Sequence, residues 1–380
     1  MTIFMLFVGL AVLTIGAELL VRGASRLAIK AGISSLVVGL TVVAFGTSAP
    51  ELVVSVQSAL QNKPDVALGN VLGSNIFNVL FILGVSSLIV PLRVSMQLVR
   101  IEVPLMIGVS CLAGAFALDG RIGKIDGLVL VLGLLVYTYF SVVVSRKQEA
   151  SLRSKAAPAD LPSTENKLGT NGNSVSLGLA LDILVLLLGL GLLVLGSRWF
   201  IDSAIDIARQ MGASELIIGL TLVAAGTSLP EVATSVLAAI RGERDIAVGN
   251  VVGSNLFNLM GVLGLSSCLA TNGIQVSETA LWLDIPVMIA VAIACLPIFY
   301  TGHTIARWEG GLFLGYYAAY TSYLFVVATL PHMTRSFNLT MLLMVIPLTV
   351  ITLLIEVFRH RRAMAGQVAD KQLLGSNSLP

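Results

Sequence analysis

The stretch DVALGNVLGSNIFN at residues 65–78 recurs as DIAVGNVVGSNLFN at residues 245–258, identical at 10 of 14 positions. Sliding the chain along itself extends the match without a gap, at a constant offset of 180, from Gly9/Gly189 to Ser87/Ser267. GTSAPE (46–51) thereby lies over GTSLPE (226–231), and weaker matches continue with EVP (102–104) over DIP (284–286) and Gly127 over Gly310. Self-similarity at one offset makes the chain two diverged copies of one unit, and that repeat organises every later inference.

The surroundings of the repeated stretches are apolar. Apolar residues make up 56% of the chain and charged ones 12%, far from the averages of soluble domains. They fall into eleven runs near 3–22, 32–60, 66–90, 97–118, 125–144, 177–200, 212–240, 245–270, 279–300, 306–329 and 339–357. Runs of about 20 residues suit helices that cross roughly 30 Å of hydrocarbon. The first run lacks both a basic residue ahead of it and a small-residue cleavage site behind it, so it reads as a retained span. The expected fold is all-α and polytopic. Each copy holds five runs, and because five is odd the second copy enters the membrane from the opposite side and is inverted.

Charge distribution sets the orientation. With the N-terminus outside, the loops that face the cytoplasm hold 17 Lys and Arg against six on the other side, so the positive-inside rule places the C-terminus in the cytoplasm. The polar stretch from Ser145 to Ser174 lacks apolar periodicity and reads as a flexible linker. The expected division is therefore a first repeat at 1–144, a cytoplasmic linker at 145–176 and a second repeat at 177–330. An added C-terminal transmembrane helix at 331–357 and a cytoplasmic tail at 358–380 complete it. A bacterial-type inner membrane suits this topology. Cys111, Cys268 and Cys295 all lie in apolar runs and read as packing residues.

Two interrupted apolar segments at matching places in inverted halves point to a transporter site near the midplane. Gly46 and Pro50, with Gly226 and Pro230, break the second run of each copy. Glu51 and Glu231 then fall in the first turn of a new half-helix, where the dipole favours an anion. A carboxylate at that depth costs at least a few kcal/mol, so two at equivalent positions imply function. Asn70-Ser74-Asn78 and Asn250-Ser254-Asn258 each line one helical face at i, i+4 and i+8. Ser74, Asn78, Ser254 and Asn258 read as ligands and Asn70 and Asn250 as structural, while Gly69/Gly73 and Gly249/Gly253 support close helix packing.

With the hydroxyls of Thr47, Ser48, Thr227 and Ser228 and carbonyls freed at the breaks, everything on offer is oxygen. Hard cations such as Ca²⁺ take six to eight oxygens, and two carboxylates balance one divalent ion. Zinc or copper would call for sulfur and imidazole. Glu102 and Asp284, each two residues before a proline, read as carboxylates welcome at helix starts rather than as a second ionic pair.

At these motifs the sequence resembles the calcium/cation antiporter superfamily, in its sodium/calcium exchanger branch of bacterial and archaeal type, through both repeats and nearly the whole ten-helix body. The resemblance implies Glu51 and Glu231 as central ligands, joined by Thr47, Ser48, Ser74, Asn78, Thr227, Ser228, Ser254 and Asn258 in overlapping sodium and calcium sites, with backbone ligands at Ala44 and Ala224. Microbial relatives often carry Asp where this chain has Asn258, and an amide there resembles the animal branch and leaves no third carboxylate for proton or potassium coupling. The expected activity is sodium-for-calcium antiport by alternating access, with calcium and sodium ions and the bilayer as partners and no cofactor, nucleic acid or obligate protein partner. A calcium/proton antiporter is the alternative within transport, although GTS ahead of each proline differs from that branch, and a cation channel is the alternative outside it. No GxxxxGK[ST] or HExxH motif supports an enzyme.

Overall fold

The computed structural model describes residues 2–156, 172–211, 226–300 and 302–329. Its helices are α1 (Thr2–Ala31), α2 (Ser35–Thr47), α3 (Ala49–Leu60), α4 (Pro64–Ile89), α5 (Leu98–Asp119) and α6 (Lys124–Ala156), then α7 (Gly172–Gln210), α8 (Leu229–Ile240), α9 (Arg244–Leu269), α10 (Ala280–Tyr300) and α11 (Arg307–Thr329). Seven of these are long and apolar enough to span a membrane, and the α2–α3 pair, bent by 48°, makes an eighth. The described helices follow the apolar runs closely. The first half of the seventh run, the eleventh run and the tail lie outside the described residues.

The expected linker is shorter than its composition suggests. Helix α6 continues to Ala156 and α7 starts at Gly172, so helix occupies both ends of the polar stretch. Residues 145–156 (SRKQEASLRSKA) are mostly strong helix formers, and a helix already nucleated in the membrane extends through them without a new nucleation step.

α1 and α7 are repeat mates, and they pack antiparallel along most of their length. A β-carbon on Gly9 would lie 2.6 Å from the Phe200 backbone, one on Gly16 2.5 Å from Leu193, and one on Gly189 2.6 Å from Leu20, while Gly196 abuts Leu13. Gly9 and Gly189 are equivalent in the repeat, as are Gly16 and Gly196, so each helix offers its partner the same small-residue surface. Because equivalent helices run in opposite directions, the two copies are inverted.

Four short strands give an independent reading. β1 (Leu92–Arg93) pairs antiparallel with β4 (Thr304–Ile305), and β2 (Arg121–Ile122) with β3 (Ile274–Gln275). β1 precedes α5 and β2 follows it, so the two pairs sit at opposite ends of a 22-residue helix, about 33 Å apart at 1.5 Å per residue. In the repeat β1 matches β3 and β2 matches β4, so equivalent loops lie at opposite ends of the bundle.

α9 sits at the centre, with its apolar window entirely buried. Gly249 and Gly253 admit the α2 backbone, a β-carbon on Gly253 falling 2.5 Å from the Leu40 carbonyl oxygen. The close packing expected at these glycines is thus present. Gly69 and Gly73 meet nothing within 4 Å among the described residues, and Leu216 and Leu220, the counterparts of Leu36 and Leu40, lie outside them.

Candidate functional site

The interrupted helices meet at the core. In the first copy the chain bends at Ser48, and Pro50 occupies the second position of α3, where its missing N–H leaves no helical donor lost. Glu51 follows in the first turn and is fully buried. In the second copy Ser228 caps α8, Pro230 takes its second position and Glu231, also buried, falls in its first turn. The break is a bend rather than a gap, because Ser48 N–H still donates to the Ala44 carbonyl at 3.0 Å and Leu52 N–H to Ser48 at 3.1 Å. Pro230 frees the Gly226 carbonyl four residues earlier, and the Ser197 hydroxyl of α7 donates to it at 3.1 Å.

Each carboxylate is held by the other copy. Ser48 Oγ donates to Glu231 Oε1 and Ser228 Oγ donates to Glu51 Oε1, both at 2.9 Å. The threonines cross in the same way, Thr47 Oγ1 meeting Asn250 Oδ1 at 3.2 Å and Thr227 Oγ1 meeting Asn70 Oδ1 at 3.4 Å. Asn70 in turn donates to the Glu51 carbonyl at 3.2 Å and to Ser55 at 2.9 Å, and Asn250 donates to Ser235 at 3.0 Å. Asn70 and Asn250 thus have both ends of their amides bonded within the chain.

Thr47, Ser48, Glu51, Ser74, Asn78, Ser228, Glu231, Ser254 and Asn258 are all buried in this region, and Thr227 is half-buried. Five of their oxygens, Glu51 Oε2, Glu231 Oε2, Asn78 Oδ1, Asn258 Oδ1 and Ser254 Oγ, are buried without a hydrogen-bond partner among the described residues. A buried carboxylate oxygen with no partner is costly, and oxygen ligands around a cation relieve that cost. The donor set suits Ca²⁺ or Na⁺ as a transported substrate. The Ala44 carbonyl accepts both from Ser48 N–H and from Thr47 Oγ1 at 3.4 Å, so it is engaged by the chain itself. Ala224 lies outside the described residues.

Glu102 and Asp284 stand elsewhere and are held differently from the expectation. Glu102 ends a π-turn (Leu98–Glu102) one turn inside α5, and Asp284 ends its counterpart (Ala280–Asp284) in α10, so neither sits at a helix start. Tyr137 donates to Glu102 at 2.7 Å, with Gln97 at 2.9 Å, and Tyr320 donates to Asp284 at 2.9 Å. A tyrosine hydroxyl from another helix thus bonds each carboxylate. π-turns also begin at Asn78 and Asn258, the final members of both polar stripes.

Asn75 and Asn255 escaped the sequence reading. They lie one residue after the middle member of the i, i+4, i+8 stripe and so off its face, yet they stand at the contact between α4 and α9, bonded across the two copies. Their identity in both copies within GSNIFN and GSNLFN was the available signal.

The model of the sodium/calcium exchanger protein family matches residues 1–143 and 181–326, leaving out the whole polar stretch between the repeats. Sodium/calcium exchanger MaX1 of Methanosarcina acetivorans is 34% identical over 344 residues, covering 85% of this chain and 98% of that protein. Inner membrane protein YrbG of Escherichia coli K12 is 38% identical over 289 residues, covering 76% of this chain and 86% of its own. Among solved structures, the sodium-calcium exchanger NCX_Mj superposes with a TM-score of 0.68 at 28% identity, covering 87% of this chain and 98% of that one. The family match takes in both repeated motifs and the described helices that carry them. The chain belongs to the sodium/calcium exchanger protein family, a family of membrane transporters rather than enzymes.

Proposed function

We propose that this chain exchanges Na⁺ for Ca²⁺ across the inner membrane by alternating access, at a site built from Glu51 and Glu231. The observation that carries this reading is the reciprocal pair of 2.9 Å bonds, Ser48 to Glu231 and Ser228 to Glu51, which brings two buried carboxylates together and leaves one oxygen of each unpartnered. Two negative charges neutralise one Ca²⁺. Thr47, Ser48, Ser74 and Asn78 of one copy and Thr227, Ser228, Ser254 and Asn258 of the other supply the remaining side-chain oxygens, with backbone oxygen from Ala224 and, once the long Thr47 bond to it is given up, from Ala44. Binding at the interface of inverted halves lets one half rock against the other and expose the same ligands to either side.

The proposed orientation puts the N-terminus outside and the C-terminus in the cytoplasm. The proposed division is repeats at 1–144 and 177–330, a connecting segment at 145–176, an added membrane helix at 331–357 and a tail at 358–380. Uptake of ⁴⁵Ca²⁺ into vesicles holding the purified chain tests the coupling. An outward sodium gradient should drive uptake, and a proton gradient of equal size should not. Uptake driven by protons alone would replace this reading with calcium/proton antiport, and uptake that needs no counter-ion would point to a channel.

A further inference from the structure

At the contact between α4 and α9 four asparagines form a relay that is complete in one copy and open in the other. Asn255 Nδ2 donates to the Asn75 backbone carbonyl at 3.3 Å and faces Met106 Sδ at 3.6 Å. A carbonyl oxygen only accepts, so this bond fixes which way the Asn255 amide is turned, and its Oδ1 points the other way. That oxygen accepts from Asn78 Nδ2 at 3.0 Å. The Asn78 amide is thereby turned in its own right, with Oδ1 buried and free of any hydrogen bond among the described residues.

The repeat-equivalent arrangement begins in the same way. Asn75 Nδ2 donates to the Asn255 backbone carbonyl at 3.5 Å and faces Met288 Sδ at 3.6 Å, and Met288 is the counterpart of Met106. Asn75 Oδ1 is therefore presented as Asn255 Oδ1 is. The last bond is not made, because Asn75 Oδ1 and both amide atoms of Asn258 are buried without a partner among the described residues. The hydroxyls show the same bias, since Ser228 reaches Ser74 at 3.2 Å while Ser254 Oγ has no partner. Identical residues thus stand in two states.

We propose that Asn75 and Asn255 are positioning residues, each turning the ligand amide of the opposite copy so that its oxygen faces the transported ion, with the Asn258–Asn75 bond made when the ion is bound. This rests on the proposed function, with Asn78 and Asn258 as ligands. It gives each half a direct reading of the other, because the amide orientation in one copy is set by a backbone carbonyl of its own helix acting through a side chain of the partner helix. It also gives an amide at position 258 a use that a carboxylate there would lack, since only an NH₂ can meet Asn75 Oδ1.

The test is a double-mutant cycle on Ca²⁺ binding, measured by calorimetry on the purified full chain in detergent. Asn255→Leu keeps size but neither accepts nor donates, and it should weaken Ca²⁺ binding about tenfold. In the Asn78→Ala background, which has no oxygen left to turn, the same change should cost less than about twofold. Asn75→Leu against Asn258→Ala forms the mirror cycle, and Asn255→Ala serves where the leucine variant is not monodisperse. Additive losses in both cycles, or single variants that bind within about twofold of the parent, would overturn the proposal. A parent protein that binds no Ca²⁺ would instead overturn the assignment of the site, so the two failures are distinct.

Discussion

Ser48 of the first copy donates its hydroxyl to Glu231 of the second at 2.9 Å, three residues ahead of the first copy's own glutamate. The bond and its mate from Ser228 to Glu51 tie each half-helix to the carboxylate of the other.

Glu51→Gln and Glu231→Gln should each lower calcium flux at least about 100-fold, because removing one charge from a buried two-carboxylate site forfeits about 3–5 kcal/mol of ion binding. The protein should remain inserted and monodisperse, since neutralising a buried acid eases burial. Glu102→Gln, at a carboxylate bonded to Tyr137 and away from the crossed serines, should keep most of the flux. Vesicle uptake with size-exclusion chromatography reads both properties. Near-parental flux in both central variants would dismantle the site.

The inverted arrangement makes Lys63 and Glu243 a decisive pair, for they are repeat-equivalent and both stand just past the short helix that follows the bend. Single cysteines at these positions, in a background with Cys111, Cys268 and Cys295 replaced, should react with impermeant reagents from opposite sides of the membrane. Lys63 should label from outside and Glu243 from the cytoplasm. Labelling from one side would exclude the inverted topology.

Arg241, at the end of α8, reaches Glu18 on α1 at 2.6 Å, and Arg22 pairs with the same carboxylate. The repeat counterparts are Arg198 for Glu18 and Gln61 for Arg241, which cannot form such a bridge, so this tie exists on one side of the molecule only. Both cations are about half exposed, so the tie is worth about 0–1 kcal/mol. Glu18→Gln should raise cytoplasmic thiol access to a Ser25→Cys reporter, which lines the adjoining cleft, by about two- to fivefold. Exchanging the charges, with Glu18→Arg and Arg241→Glu together, should restore low access. Unchanged access in Glu18→Gln would remove the tie from the conformational balance.

Gly16 and Gly191 test the antiparallel pair from both directions. A methyl at Gly16 would stand 2.5 Å from the Leu193 backbone, so Gly16→Ala must push α1 and α7 apart and should lower the melting temperature and the flux together. Gly191 on α7 has nothing within 4 Å among the described residues, and Gly191→Ala should be neutral or stabilising by about 0.5–1 kcal/mol through helix propensity. Equal effects from both would contradict the close approach.

Much of this protein is legible without coordinates because its signals are local. A 20-residue apolar run, a proline behind GTSA or GTSL and an i, i+4, i+8 polar stripe each report on one segment, and the offset of 180 relates the segments to one another. From these follow the spans of the described residues, the bend at Ser48 and the buried glutamates. The helices that run into both ends of the stretch between the repeats have no such local signal, because polarity reports exposure and a long polar helix carries no apolar stripe. Which residues bond across the copies was decided by the tertiary structure alone. Asn75 and Asn255 are as identical in the two copies as Asn78 and Asn258, yet the Asn78 amide is bonded and that of Asn258 has no partner among the described residues. A repeat in sequence is symmetric by construction, whereas a hydrogen bond forms only near 3 Å, so a small difference in how two inverted halves pack settles which partner each buried amide finds.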